Sequence, residues 1–184
     1  HILIDRSTGV FGTSGSGKTR FGLWTLTLSA LISGWQVIIL DRSGLDFIPF
    51  EGHPNARILL LDPPERAIQY LQLTYLELQT RLRQLREARV STWSRLGKPH
   101  TLIVLDEFAN LADSMDNKSR DQLWQYARMI AAEGRKAGIH LAIALQDPTH
   151  KSLDLRIRRN CLPISFRVKD ESASRVVLGT SGAE

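Results

Sequence analysis

The chain has 184 residues, 42% of them hydrophobic and 23% charged, enough apolar mass for one folded unit with its own core and too patterned for a disordered or fibrous chain. Lys and Arg number 24 against 19 Asp and Glu, a formal charge of +5 that suits a polyanionic partner without requiring one. The single Cys161 excludes an internal disulfide framework and a cysteine-based zinc cage, so the expected home is a reducing compartment, the cytoplasm by default.

No apolar run approaches the roughly 18 residues of a membrane span, so no membrane contact is expected of this chain, and no signal-peptide pattern opens it. It starts at His1 and stops at Glu184 soon after a Gly-rich turn, which reads as a single domain, residues 1–184, cut from a longer protein that could itself carry a membrane anchor. In chain order, short apolar runs at Val10–Phe11, Gln36–Leu40, Arg57–Leu61, Thr101–Leu105, Ile139–Leu145 and Leu162–Val168 alternate with helical patterns at Lys18–Ser33, Ala67–Arg95 and Asn117–Ala137. Runs apolar at nearly every position, such as Leu102 to Leu105, predict strands covered on both faces, and the alternation predicts an α/β fold with a mostly parallel sheet sandwiched between helices. In the longest helix Leu71, Tyr75, Leu78, Leu82 and Leu85 form one apolar stripe, while Arg81, Arg83, Arg86 and Arg89 lie mostly off it and read as a solvated face.

Gly12-Thr13-Ser14-Gly15-Ser16-Gly17-Lys18-Thr19 matches G-x-x-x-x-G-K-[ST] between a strand and a helix. Glycines let backbone N–H groups curl around a phosphate, and the helix N-terminus adds positive potential there. Lys18 would reach the β- and γ-phosphates of ATP, and the Thr19 hydroxyl would complete a Mg²⁺ shell. Thr101 to Leu105 ends in Asp106-Glu107, where Asp106 would hold the metal through water and Glu107 would polarise the attacking water; the bland alternative is an acidic cap on the next helix. Gln146, at the end of the Ile139–Leu145 run, could sense the γ-phosphate or simply satisfy backbone groups at a strand's end.

The order of elements is more selective than the phosphate loop. The loop, then LIVLDEFANL, then EGRKAGIHLAIALQDPT, then LPISFRVKDESASRVVLGTSGAE resembles, over essentially the whole chain, the RecA-like P-loop NTPase motor domain of the FtsK/SpoIIIE DNA translocases and their HerA-like relatives. That resemblance implies a hexameric ring that hydrolyses ATP between subunits and pulls double-stranded DNA through its pore. It also implies that Arg135 is an arginine finger delivered to the neighbour's nucleotide; read alone, Arg135 and Lys136 would only complement a helix dipole. Of the family's three DNA contacts only Arg175 is retained, because Asp147 and Glu171 stand where the family has basic residues, and Pro163 stands at or near another family arginine. Arg158, Arg159 and Lys169, with Lys151 and Arg167, are close enough in sequence to shift the grip. Related secretion or conjugation coupling ATPases, which move a protein or nucleoprotein cargo, are the alternative, and a nucleotide-gated scaffold with slow turnover is a third. Cys161, His140 and the four tryptophans read as packing residues.

Overall fold

A computed structural model describes residues 6–145, 157 and 160–182. Among them six strands form one sheet: β1 (Thr8–Phe11), β2 (Gln36–Asp41), β3 (Ala56–Leu60), β4 (Thr101–Leu105), β5 (Ile139–Leu145) and β6 (Leu162–Ser165). The order is β3-β2-β4-β5-β1-β6, and every pairing is parallel. Among the described residues five α-helices flank it: α1 (Trp24–Ile32), entered through a π-wound turn at Lys18–Leu23, then α2 (Arg66–Glu87), α3 (Phe108–Asp113), α4 (Asn117–Ala137) and α5 (Glu171–Leu178).

The central strands β4 and β5 are apolar at all but Thr101 and His140 because both faces are covered, and alternate residues feed two cores. Ile103 and Leu105 of β4, with Ile139, Leu141, Ile143 and Leu145 of β5, join the cluster under α2, α3 and α4. Leu102, Val104, Ala142 and Ala144 point the other way, into the cluster that holds Leu23, Leu26 and Ala30 of the first helix. Burying one such Leu or Ile side chain contributes about 1.5–3 kcal/mol, so a one-residue slip of a central strand would turn its large side chains to the wrong core.

α2 buries Leu71, Leu78 and Leu85, with Tyr75 and Leu82 half-buried beside them, as the stripe predicts. It stops earlier than expected. The Arg89 N–H bonds to Arg86 O and the Val90 N–H to Leu85 O, while Arg89 takes a left-handed φ of 54°, the geometry of a Schellman termination. Helical spacing runs on through Trp93 and Leu96, but those residues form a separate short turn, Trp93–Leu96, with Trp93 buried. β6 likewise ends at Ser165 and not at Val168, because the chain then turns to back the phosphate loop.

α4 starts where Asp116 accepts hydrogen bonds from the N–H groups of Lys118 (2.8 Å) and Ser119 (3.1 Å) and ends at Gly138, which adopts φ 66°. Gly134 lies so close to the start of β5 that a Cβ there would sit 2.1 Å from Ile139 O. Gly134→Ala is therefore expected to cost about 1–3 kcal/mol through displaced backbone, read as a lower midpoint in urea unfolding. Cys161 is buried, and burial pushes its thiol up to about 12, in keeping with its reading as a small hydrophobe. It should resist a thiol reagent at pH 8 in the native protein and react promptly in denaturant.

Candidate nucleotide-binding site

The parallel register places the ends of β1, β4 and β5 along one edge of the sheet: Phe11 pairs with Leu145, and Leu105 with Ile143. Loops that follow parallel strands converge at this edge, the usual ligand position in open α/β sheets. The loop from Gly12 to Thr19 leaves β1 there. The Gly12 N–H donates to Leu145 O at 3.3 Å and the Thr13 N–H to Arg167 O at 2.9 Å, so the loop is pinned to β5 on one side and to the segment after β6 on the other. Gly12 has no room for a side chain: a Cβ would meet Ser16 Oγ at 2.6 Å and Phe166 Cβ at 2.9 Å. Gly17 takes φ 94°, which turns the chain into the following helix with its first N–H groups directed at the loop.

Lys18 and Thr19 open that helix. Lys18 is 6% exposed, and its Nζ donates to Thr13 O at 2.7 Å. Burial holds its ammonium below the usual lysine range, with Asp106 and Glu107 acting against the shift. Thr19 Oγ1 donates to Asp106 Oδ2 at 2.6 Å, joining the helix after the loop to the end of β4. Burial lifts the Asp106 carboxyl above the usual carboxylate range, against hydrogen bonds from Thr19 and from the Glu107 N–H at 2.8 Å. Glu107 is exposed and takes a left-handed φ of 49°, uncommon for a residue with a side chain and typical of constrained functional positions. It occupies the N-cap position of α3, yet its carboxylate makes no capping bond to that helix, so the bland alternative of an acidic cap is not taken up.

These groups line a pocket of about 340 Å³ that contains Ser14, Gly15, Gly17, Lys18, Thr19, Asp106 and Glu107. The residues fit a magnesium-bound nucleoside triphosphate on three observations. Ser16 Oγ is buried with no hydrogen-bond partner among the described residues. The buried Lys18 ammonium rests on a carbonyl that a phosphate oxygen would replace. Asp106 is a buried carboxyl whose nearest partner is a hydroxyl that could share a cation with it.

Arg135, Lys169 and Arg175 do not line this pocket. Arg135 is exposed in the last turn of α4, next to the start of β5, and with Arg86 and Lys136 lines a separate cavity of about 580 Å³. β5 has seven residues, so at roughly 3.3 Å per residue it holds Arg135 ~20 Å from the loop of its own chain. Arg175 is exposed on α5 and paired with Glu171 at 2.6 Å, and Lys169 is exposed just before that helix. Gln146, Arg158 and Arg159, together with Asp147 and Lys151, lie outside the described residues. His140 is 1% exposed, hydrogen-bonded to His100 at 3.1 Å and stacked on Trp35, a core residue as read.

Two groups escaped sequence reasoning. Asp41 ends β2 one residue beyond the Leu40–Leu105 pair, beside Asp106; it is 3% exposed, with Oδ1 held by Ser43 and Oδ2 lacking a partner among the described residues. The signal was present, since VIILD repeats the pattern of LIVLD: an apolar run ending in an acid. The second is Arg81. Arg83, Arg86 and Arg89 are exposed as expected, but the Arg81 side chain is only 11% exposed and bonded on several sides, so the solvated-face reading fails there.

The sheet and loop together are those of a P-loop nucleotide-binding domain. The profile of the family described as the central domain of helicase HerA matches residues 1–138, and the chain belongs to that family. Curated relatives include the DNA translocase FtsK of Helicobacter pylori strain J99, 30% identical over 200 aligned residues that cover 100% of this chain and 22% of that protein. FtsK of Campylobacter jejuni strain 81-176 is 28% identical, over 100% of this chain and 20% of the relative. The chain thus spans about a fifth of the length of these relatives. Among solved structures, the pCW3 conjugation coupling protein TcpA, in a monomer form with ATPγS, superposes with a TM-score of 0.77 at 26% identity, covering 96% of this chain and 53% of that one. The cytoplasmic domain of the Thermomonospora curvata type VII secretion ATPase EccC shares the fold, with a TM-score of 0.75 at 24% identity over 95% of this chain and 22% of that one.

Lys18→Ala is expected to abolish binding of ATP. Thr19→Val should weaken ATP binding by about 10-fold or more when Mg²⁺ is present and little when it is chelated. Calorimetric titration with and without the metal reads both.

Proposed function

We propose that this chain is the ATP-hydrolysing core of a ring-forming translocase that moves double-stranded DNA. The observation that carries the reading is the meeting of Thr19 and Asp106 at 2.6 Å beside the buried Lys18, with Glu107 next in the chain. Backbone N–H groups from Gly15 to Thr19 cradle the β-phosphate of ATP, and Lys18 spans the β- and γ-phosphates. Thr19 Oγ1 and the Asp106 carboxylate, the latter through water, are the groups that would hold Mg²⁺, whose chemistry there would be to neutralise phosphate charge. Glu107 stands at the edge of the pocket, where its carboxylate orients a water and accepts its proton as the oxygen attacks the γ-phosphorus and the ADP oxygen departs. Gln146, one residue past Leu145 in the sequence, is assigned to the γ-phosphate side.

Arg135 completes the pocket of the next copy, and its distance from its own loop leaves no role in cis. The bland alternative, complementing the end of α4, is already served by Arg81, which donates to Ala137 O and Gly138 O at 3.3 Å each. Lys169 and Arg175, with Arg158 and Arg159, are assigned to phosphates of the DNA backbone, a grip that needs no base reading. The Arg175–Glu171 pair favours a second reading, a protein or nucleoprotein cargo, since an anionic neighbour weakens attraction to a polyanion. The pair is exposed on both sides and worth at most about 1 kcal/mol, so it yields to a stronger ligand.

Hydrolysis measured with and without duplex DNA at two salt concentrations separates the readings: stimulation that fades at high salt supports DNA, and stimulation only by unfolded protein supports the other cargo. Glu107→Gln should retain ATP and lose about 10²- to 10⁴-fold in turnover; turnover left unchanged would point to a slow scaffold. Arg135→Ala should lose about 10³-fold or more alone and recover part of its activity when mixed with Glu107→Gln copies.

A further inference from the structure

Arg81, in the middle of α2, is held by four different elements. Its Nε donates to Glu77 at 2.9 Å on the same helix. Nη1 donates to Ala137 O and Gly138 O, the last carbonyls of α4 and its cap, and Nη2 donates to Thr101 Oγ1 at 2.8 Å, the first residue of β4. The guanidinium carbon, Cζ, lies 4.6 Å from the centre of the Trp93 ring. Trp93 in turn leaves no room for a side chain at Gly138, where a Cβ would sit 2.5 Å from its Cδ1.

All of these contacts bear on one turn. From Gly134 to Ile139 the chain leaves α4 and enters β5, and Arg135 lies inside that stretch. The Gly138 carbonyl accepts from the Thr101 N–H at 2.8 Å as well as from Arg81, so the turn is tied to β4 by a backbone bond and to α2 by the fork. A lysine in place of Arg81 would keep a positive charge near the helix end, but it could not hold two carbonyls, a hydroxyl and an aromatic face at once.

We propose that Arg81 is the positioning residue for Arg135: by clamping the α4–β5 turn it sets the direction in which Arg135 is presented to the neighbouring copy's γ-phosphate. The inference rests on the reading of Arg135 as a trans finger. Arg81 touches no nucleotide; it acts through the backbone that carries Arg135. A misplacement by about 1 Å of a guanidinium that stabilises the transferring phosphoryl group costs on the order of 100-fold in rate, so a loosened turn has a large expected effect without any loss of nucleotide.

The test uses mixed assemblies of the intact protein. A donor carrying Glu107→Gln keeps its finger and cannot hydrolyse; a receiver carrying Arg135→Ala keeps its pocket and lacks a finger. Adding Arg81→Ala to the donor should lower the rescued turnover by about 10- to 100-fold, whereas adding it to the receiver should lower it by less than about 3-fold, with the receiver's affinity for ATP unchanged. Arg81→Lys in the donor should give an intermediate loss with the same asymmetry. Equal losses in the two placements, or no loss in the donor, would overturn the inference and leave Arg135 as the finger. Absence of rescue with Arg81 intact would overturn the finger and this inference together. A donor that fails to fold would fail equally as a receiver, so the comparison of placements already separates lost stability from lost positioning.

Discussion

One short hydrogen bond, from the Thr19 hydroxyl to the Asp106 carboxylate at 2.6 Å, organises the site. The two residues are 87 positions apart and meet because β1 and β4 run parallel, separated by β5. Every strand between Gln36 and Leu145 serves this meeting: each crossover returns the chain to the same end of the sheet, so loops that follow strands gather there. The bond lies where burial penalises charge, raising Asp106 and lowering Lys18, and a cation with a polyphosphate would relieve both.

Much of this was legible beforehand, for physical reasons. Phosphate binding needs glycines, a lysine and a hydroxyl at fixed spacing, so the loop announces itself; a doubly covered strand is apolar at nearly every position, so Thr101–Leu105 and Ile139–Leu145 stand out with their exact bounds. α4 was legible because Asp116 and Gly138 mark its two ends. The end of α2 was not, since Trp93 and Leu96 continue the helical spacing while the break is made by Arg89, a residue with no intrinsic preference for a left-handed turn. Arg81 was hidden for a related reason. A periodicity argument assigns a face to an arginine; it does not show that two carbonyls, a hydroxyl and an indole from distant segments surround it. The segment after β6 looked like more strand because Phe166 and Val168 are apolar, but its work is to brace the phosphate loop through Arg167 O.

The surface that would meet cargo is less settled by its chemistry than the pocket. Arg175 leans on Glu171, one helical turn earlier, so the cationic character expected of a DNA contact is partly cancelled within α5 itself. The two regions therefore differ in kind: a phosphate pocket built around the buried Lys18 and a loop braced by backbone bonds, and a surface at Lys169 and Arg175 made of exposed side chains that are easily exchanged.

The parallel sheet also has a polarity that reaches beyond one chain. The phosphate loop stands at one end of the strands and Arg135 at the other, so a contact joining the two is head-to-tail and leaves one unlike end open on each side. Were Arg135 to complete the neighbouring copy's pocket, as proposed, such a chain of copies would close once rotation brings its last member back to its first, and one faulty member would silence one pocket or the other: its own if Glu107 is lost, its neighbour's if Arg135 is lost.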